Sequence, residues 1–284
     1  MTKVLIVNAD DYGRSLVVSS GIREAHLSGL VTTTTVMMNL PGAIDEIGRA
    51  REECPSLGIG VHLNLSVGPP CAPVEKVRSL LDPNDRFLDR TTIIQSPDRL
   101  DPVQLEIELR AQVEAFLTTG TSLDHLDSHN HIVALNPKLW EIYLSLAEEY
   151  GCGVRPSFPS DVPKEILVGI YPPYALDFAS QGAMDRLEST GVRYPGRFLA
   201  SFFGPGATLD NLLYLINNLE PGVSELMCHP GHFDETLSAE SGYVREREEE
   251  LSILIRPKAR KAIEHSDIRL ATYRDAWNPP PGSY

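Results

Sequence analysis

The sequence of 284 residues predicts an α/β protein built on parallel strands. Three observations predict it. Short apolar or β-branched runs alternate with longer amphipathic segments, the order expected of strand–helix–strand units with right-handed crossovers. The first run, "VLIVN", reads as a buried strand. Aspartates and histidines gather where the strand-like runs stop, and active sites of α/β folds lie at the carboxyl ends of the strands. Roughly seven or eight such units would close a barrel. An open doubly wound sheet is the alternative, although no GxGxxG follows the first strand to suggest a dinucleotide site.

The elements can be justified in order. "LVVSSGIREAHLSGL" reads as a helix stopped near Gly29, and "VTTTTVMMN" as a β-branched strand. "AIDEIGRAREEC" is helical up to Pro55, and "GIGVHLNLS" alternates like a strand. In "DPVQLEIELRAQVEAFLTTG", Asp101 caps, Pro102 opens the first turn, and Leu105, Leu109, Val113, Phe116 and Leu117 form the apolar face. "SLDHLDSH" is the next strand, "NPKLWEIYLSLAEEYG" repeats the Asn-cap, Pro and Gly-stop grammar, and "CGVRP" is a short strand. Residues 156–206, rich in Pro, Gly and aromatics, resist assignment. Then come the helix "TLDNLLYLINNL", the strand "VSELMCH", a helix broken at Pro257 and a last strand "IRLATYRDAW". The run "REREEE" reads as a solvated helix face.

Composition excludes several classes. With 42% hydrophobic and 23% charged residues the chain is ordinary globular protein. No run approaches the roughly 20 apolar residues of a membrane span, and the N-terminus lacks a secretory pattern, so a cytoplasmic protein is expected. Cys54, Cys71, Cys152 and Cys228 are scattered without CxxC, which argues against a disulfide framework or thiolate zinc site. A net charge of −14 disfavours nucleic acid and polyanions and suits a neutral or cationic small molecule. No heptad speaks for or against a homo-oligomer.

Asp10 and Asp11 end the first strand, side by side, where like charges need compensation. His62 in "GVHLNL", His125, His129 and His131 in "LDHLDSHNH", and His229 and His232 in "CHPGH" fall at other strand ends. Singly each is bland: a DD pair is usually a cap or turn, a strand histidine usually a core residue, and HPG often only a turn. Together they bring Asp10, Asp11, His62, His129 and His229 towards one face. Carboxylate and imidazole donors there suit one divalent metal ion with an open position for water or substrate. His-x-His on a strand would aim both rings to one side, with Asp124 and Asp127 as acceptors behind them.

The motifs "NADDYG", "GLVTTTTVMMN", "GVHLNLS", "HLDSHNH", "MCHPG" and "SGYVREREEEL", in this order, resemble the YdjC-like carbohydrate deacetylases. The resemblance spans nearly the whole chain. It implies a single domain over 1–284, a distorted (β/α) barrel, and metal-dependent removal of acetyl groups from N-acetylated sugars such as chitooligosaccharides. It implies Asp11, His62 and His129 as ligands of a divalent metal, Mg2+ or Zn2+, and Asp10 as general base. His229 would be the general acid and Arg155, in "VRPS", an arginine that orients the base. Tyr12 and Asn130 stand where the family often has Phe and His. The variable 156–206 region would face the substrate. Two other classes compete: a glycosidase using Asp124 and Asp127, which three-residue spacing on a strand sets on opposite sides, and a non-catalytic sugar-binding protein. A different small amide is the nearer rival within hydrolysis.

Overall fold

The computed structural model describes residues 2–278 apart from 96–99, 169, 234, 236 and 240. Position 169 of the loop-rich region and the extreme ends of the domain expected over 1–284 lie outside the described residues. The first half alternates β1 (Lys3–Tyr12), α1 (Leu16–Ser28), β2 (Thr33–Val36), α2 (Ala43–Glu53) and β3 (Gly58–Leu63). Then come α3 (Arg90–Gln95), α4 (Pro102–Leu117), β4 (His125–Ser128), α5 (Pro137–Tyr150) and β5 (Gly153–Val154). The loop-rich stretch contributes α6 (Lys164–Leu167), α7 (Pro173–Asp177), α8 (Ala183–Glu188) and β6 (Arg197–Leu199). The chain continues with α9 (Leu209–Asn217), β7 (Gly222–Cys228), α10 (Arg245–Leu254), α11 (Pro257–His265) and β8 (Ile268–Leu270).

All strand pairs are parallel, in the order β5-β4-β3-β2-β1-β7-β6. Read as a circle this is simply one to seven, the order of a barrel and not of a doubly wound sheet. The distortion lies in two places. Between β5 and β6 isolated bonds replace a ladder: Val154 N donates to Arg193 O (2.9 Å) and Ser160 N to Phe198 O (2.7 Å). At β1, β7 follows one edge from Lys3 to Ala9, while β8 takes Lys3–Leu5 and β2 takes Asn8–Tyr12 on the other. The helices obey the sequence grammar: Ser15, Asp101, Asn136 and Thr208 each cap a helix through the side chain, and Gly151 ends α5 at φ 64°. No helix among the described residues is long and apolar enough to cross a membrane.

Several expectations are corrected. Leu117 is 39% exposed, and α4 instead buries Glu108, whose carboxylate accepts Cys71 N (3.0 Å) and Ala72 N (2.9 Å). The last strand stops at Leu270, and Tyr273 N and Arg274 N turn away to donate to Asp124 (3.1 and 3.0 Å). The "REREEE" face is not solvated throughout: Arg247 and Glu250 are buried. Finally, β4 ends at Ser128, and Asn130 and His131 take left-handed backbone (φ 57° and 53°). Asn130 and His131 therefore do not continue a strand, and the one-sided His-x-His geometry does not form.

Candidate metal centre and acid–base site

β1 answers the question its adjacent carboxylates raise. Between Ala9↔Thr34 and Tyr12↔Val36 it advances three residues against two on β2, a β-bulge. Asp11 sits in the bulge at φ 71°, a conformation Asp tolerates better than most residues. On a regular strand Asp10 and Asp11 would face opposite sides. Here both buried carboxylates reach one site.

Asp11 Oδ1, His62 Nε2 and His129 Nδ1 form a triangle. Its edges are 3.4 Å (Asp11–His62), 3.1 Å (Asp11–His129) and 3.3 Å (His62–His129). Ligand bonds of about 2.1 Å meeting at 90–109° put donor atoms about 3.0–3.4 Å apart. Asp11 Oδ1 is buried and has no hydrogen-bond donor. These three residues could hold a metal ion, and a second group, Asp10, His62 and Asp127, adjoins them. The donor set and its spacing fit one divalent cation on one side of the triangle.

The surroundings fix each donor. His62 and Asp127 are register partners across β3 and β4, and His62 Nδ1 stands 2.7 Å from Asp127 Oδ1. A proton on Nδ1 shared with Asp127 leaves the Nε2 lone pair facing the triangle. Thr35 on β2 donates to Asp127 Oδ2 (3.0 Å). Asp11 Oδ2 accepts from Arg247 of α10 and lies 3.6 Å from Arg14. Burial alone would lower the His62 pKa, but Asp127, Asp11 and Asp10 outweigh it and raise it to about 10. The spot therefore draws positive charge, whether proton or cation. Burial keeps His129 below its ordinary value and so neutral, the form that ligates.

Asp10 lies beside the triangle. Arg155, one residue past β5, grips it with two bonds, Nη1–Oδ2 2.8 Å and Nη2–Oδ1 2.6 Å. The same guanidinium reaches Glu225 of β7 (2.8 Å) and Asp127 (3.0 Å). Burial would raise the Asp10 carboxyl, but Arg155 prevails and holds it well below the usual range, hence ionised. His229, just after β7, places Nε2 3.8 Å from Asp10 Oδ2. Burial pushes its pKa down to about 4, and its Nδ1 has no hydrogen-bond partner.

The turn that carries His229 is clamped. Gly231 N donates to Arg247 O (3.1 Å) and His232 N to Val17 O (3.3 Å). A Cβ at Gly21 of α1 would lie 2.6 Å from Gly231 Cα, so only glycine lets the helix approach the turn this closely. His229 N donates to Glu250 Oε2 (2.5 Å), whose other oxygen accepts from Tyr243. Burial raises the Glu250 carboxyl to about 8.

Every residue singled out at the strand ends for the site, Asp10, Asp11, His62, His129 and His229, converges here, and Arg155 joins them. Asp127 supports His62, not the histidines of its own segment. Asp124 and His125 lie elsewhere, bonded to each other (3.2 Å) and to the Tyr273 turn. His131 is half-buried, edge-on to Phe198 (5.6 Å), and stands outside the donor triangle. Sequence reasoning missed Arg247, Glu250 and Glu225. A signal existed for the first two: Arg247, Glu250, Leu251 and Leu254 share one helical face, so the charges lie on the apolar stripe.

Comparison with known proteins bears on the family and the fold. Residues 4–265 match the family described as YdjC-like protein. A carbohydrate deacetylase from Brevibacillus brevis is 35% identical over 272 residues, covering 95% of this chain and 98% of the relative. A crystal structure from Enterococcus faecalis V583, named for cellobiose-phosphate cleavage, superposes with a TM-score of 0.84 at 31% identity, covering 97% and 99% of the two chains. A family 4 carbohydrate esterase from Streptomyces lividans in complex with acetate shares the fold, with a TM-score of 0.50 at 12% identity over 97% of this chain and 95% of that one.

Proposed function

The chain belongs to the YdjC-like protein family, and from that premise we propose that it is a cation-dependent hydrolase removing the acetyl group from an N-acetylated sugar of chitooligosaccharide type. The observation that carries the reading is the triangle of Asp11 Oδ1, His62 Nε2 and His129 Nδ1 with ionised Asp10 beside it. Asp11, His62 and His129 hold the cation, and imidazole donors suit zinc better than magnesium. A divalent cation there supplies polarisation of the acetyl carbonyl and acidification of a water.

The chain's own residues do the rest. Asp10 takes the proton of the attacking water; Arg155 keeps it ionised and aims it. His229, neutral at ordinary pH, is 3.8 Å from Asp10 and relays that proton to the departing amine nitrogen. The carbonyl carbon gains the water oxygen, the C–N bond breaks, and acetate and an amino sugar leave.

Acetate release from N-acetylglucosamine, diacetylchitobiose and longer oligomers, with chelator and then with zinc or magnesium restored, tests the reading. Release that stops with chelator and returns with metal is expected. No release from any of them by protein shown to hold metal would overturn it.

A further inference from the structure

Phe203 stands out among the exposed aromatic side chains because it borders the acid–base pair. It is 44% exposed, whereas its neighbour Phe202 is fully buried. Its ring meets His229 edge-on, with centroids 5.2 Å apart and planes at 62°. One face is stacked on Tyr243 at 4.3 Å and 12°. The loop that carries it is rigidly held. Gly204 N donates to the Tyr243 hydroxyl (3.0 Å), Gly206 N to Phe203 O (2.9 Å), and Asn211 Nδ2 to Gly206 O (2.9 Å). The Asp161 carboxylate takes Ala200 N (2.8 Å) and Ser201 N (3.0 Å) just upstream. A half-exposed aromatic on so fixed a loop is not a residue left over from the core.

We infer that Phe203 is the stacking platform for the pyranose ring that carries the scissile amide. The inference rests on the deacetylase reading and deepens it. If His229 delivers a proton to the amide nitrogen, the group attached to that nitrogen must lie on the His229 side, and the acetyl group on the side of the donor triangle. In an N-acetylated sugar the attached group is the pyranose ring itself. Its C–H face is apolar and its rim is hydroxylated, so it packs on an aromatic face while the hydroxyls stay in water. Tyr243 backs the platform and bonds Glu250, which in turn accepts the His229 backbone N–H, so ring platform and proton donor share one support. Phe203 thereby selects for a cyclic sugar over a small acyclic amide.

The test compares wild type, Phe203→Ala and Phe203→Trp, all metal-loaded, by two readouts. One is kcat and KM for acetate release from diacetylchitobiose. The other is calorimetric affinity for the fully deacetylated disaccharide, which the enzyme cannot hydrolyse. Phe203→Ala should raise KM and Kd together by roughly 5–10-fold, with kcat within about twofold of wild type, and Phe203→Trp should restore both. Unchanged KM and Kd in Phe203→Ala, a fall in kcat alone, or no disaccharide binding by wild type would overturn the platform. Wild type that binds the disaccharide yet releases no acetate would defeat the deacetylase reading, while the variants' Kd would still decide the platform.

Discussion

The segment "LDHLDSH" supplies the aspartate of two buried Asp–His pairs, Asp124 with His125 at the entry to one short strand and Asp127 with His62 of β3 near its exit, and they have different physics. At the entry to β4, Asp124 accepts two backbone N–H groups and lies 3.2 Å from His125 Nδ1, while the His125 ring stacks on Tyr273 at 4.0 Å. That carboxylate is satisfied, and it ties the C-terminal turn to the barrel. At the exit, Asp127 is satisfied too, but it turns His62 so that Nε2 meets Asp11 Oδ1 and His129 Nδ1 at 3.4 and 3.3 Å, a cluster that draws positive charge. Burial and residue type are the same at both ends. Each end leaves a buried atom without a hydrogen-bond partner, His125 Nε2 at the entry and Asp11 Oδ1 at the exit. What separates them is that only at the exit do three donor atoms lie within 3.1–3.4 Å of one another.

Substitutions can break or sharpen that contrast. The largest effect belongs at the exit. His62→Ala or Asp11→Asn should abolish bound metal by elemental analysis and cost several kcal/mol of barrier, on the order of 10³-fold or more in turnover. Normal metal content in either would remove that residue from the ligand set. Asp10→Asn should keep the metal and lose roughly 10²–10⁴-fold in kcat, and near wild-type turnover would end its role as base.

Arg247→Met breaks a buried pair with Asp11. Urea unfolding of chelated protein should show a loss of roughly 3–5 kcal/mol. The loss should shrink when metal is present, because the cation then compensates Asp11. An equal loss in both states would mean that Arg247 serves only the fold.

At the entry of β4, Asp124→Asn should cost roughly 1–3 kcal/mol of stability while kcat of the folded fraction stays unchanged. A specific loss of kcat there would dissolve the distinction between the two ends. The smallest effect concerns Glu250. Its folded pKa, about 8, lies above its ordinary 4.5, so its contribution is complete below about 4.5 and is lost as pH rises through about 8. Unfolding of chelated protein at pH 6 and pH 9 should show wild type weakening by at most about 1.4 kcal/mol per pH unit from this group, and Glu250→Gln weakening less. Identical slopes would show that Glu250 does not titrate there.

The barrel was legible because alternation and caps are local. The "NP…YG" and "DP" signals each mark a helix the structure contains. The convergence of Asp10, Asp11, His62, His129 and His229 was legible because parallel strands put their ends on one face. Arg155 came only through resemblance, since its partner Asp10 is 145 residues away in sequence. The left-handed turn at Asn130 and His131 was hidden because Asn and His tolerate that conformation without requiring it. Arg247 and Glu250 were lost to a rule that reads charge runs as solvated. The helical period through Leu251 and Leu254 contradicted that rule.

The bulge in β1 has a consequence for how this site would fail. The histidines owe their positions to β3 and to the turn after β4, which must stay docked on one another for their rings to meet. Asp10 and Asp11 need no such agreement, because a single peptide link spaces them. On warming, the imidazoles should therefore disperse before the two carboxylates part. Metal should be released at a lower temperature than the loss of β-sheet circular dichroism, and simultaneous loss would show that the barrel melts as one unit.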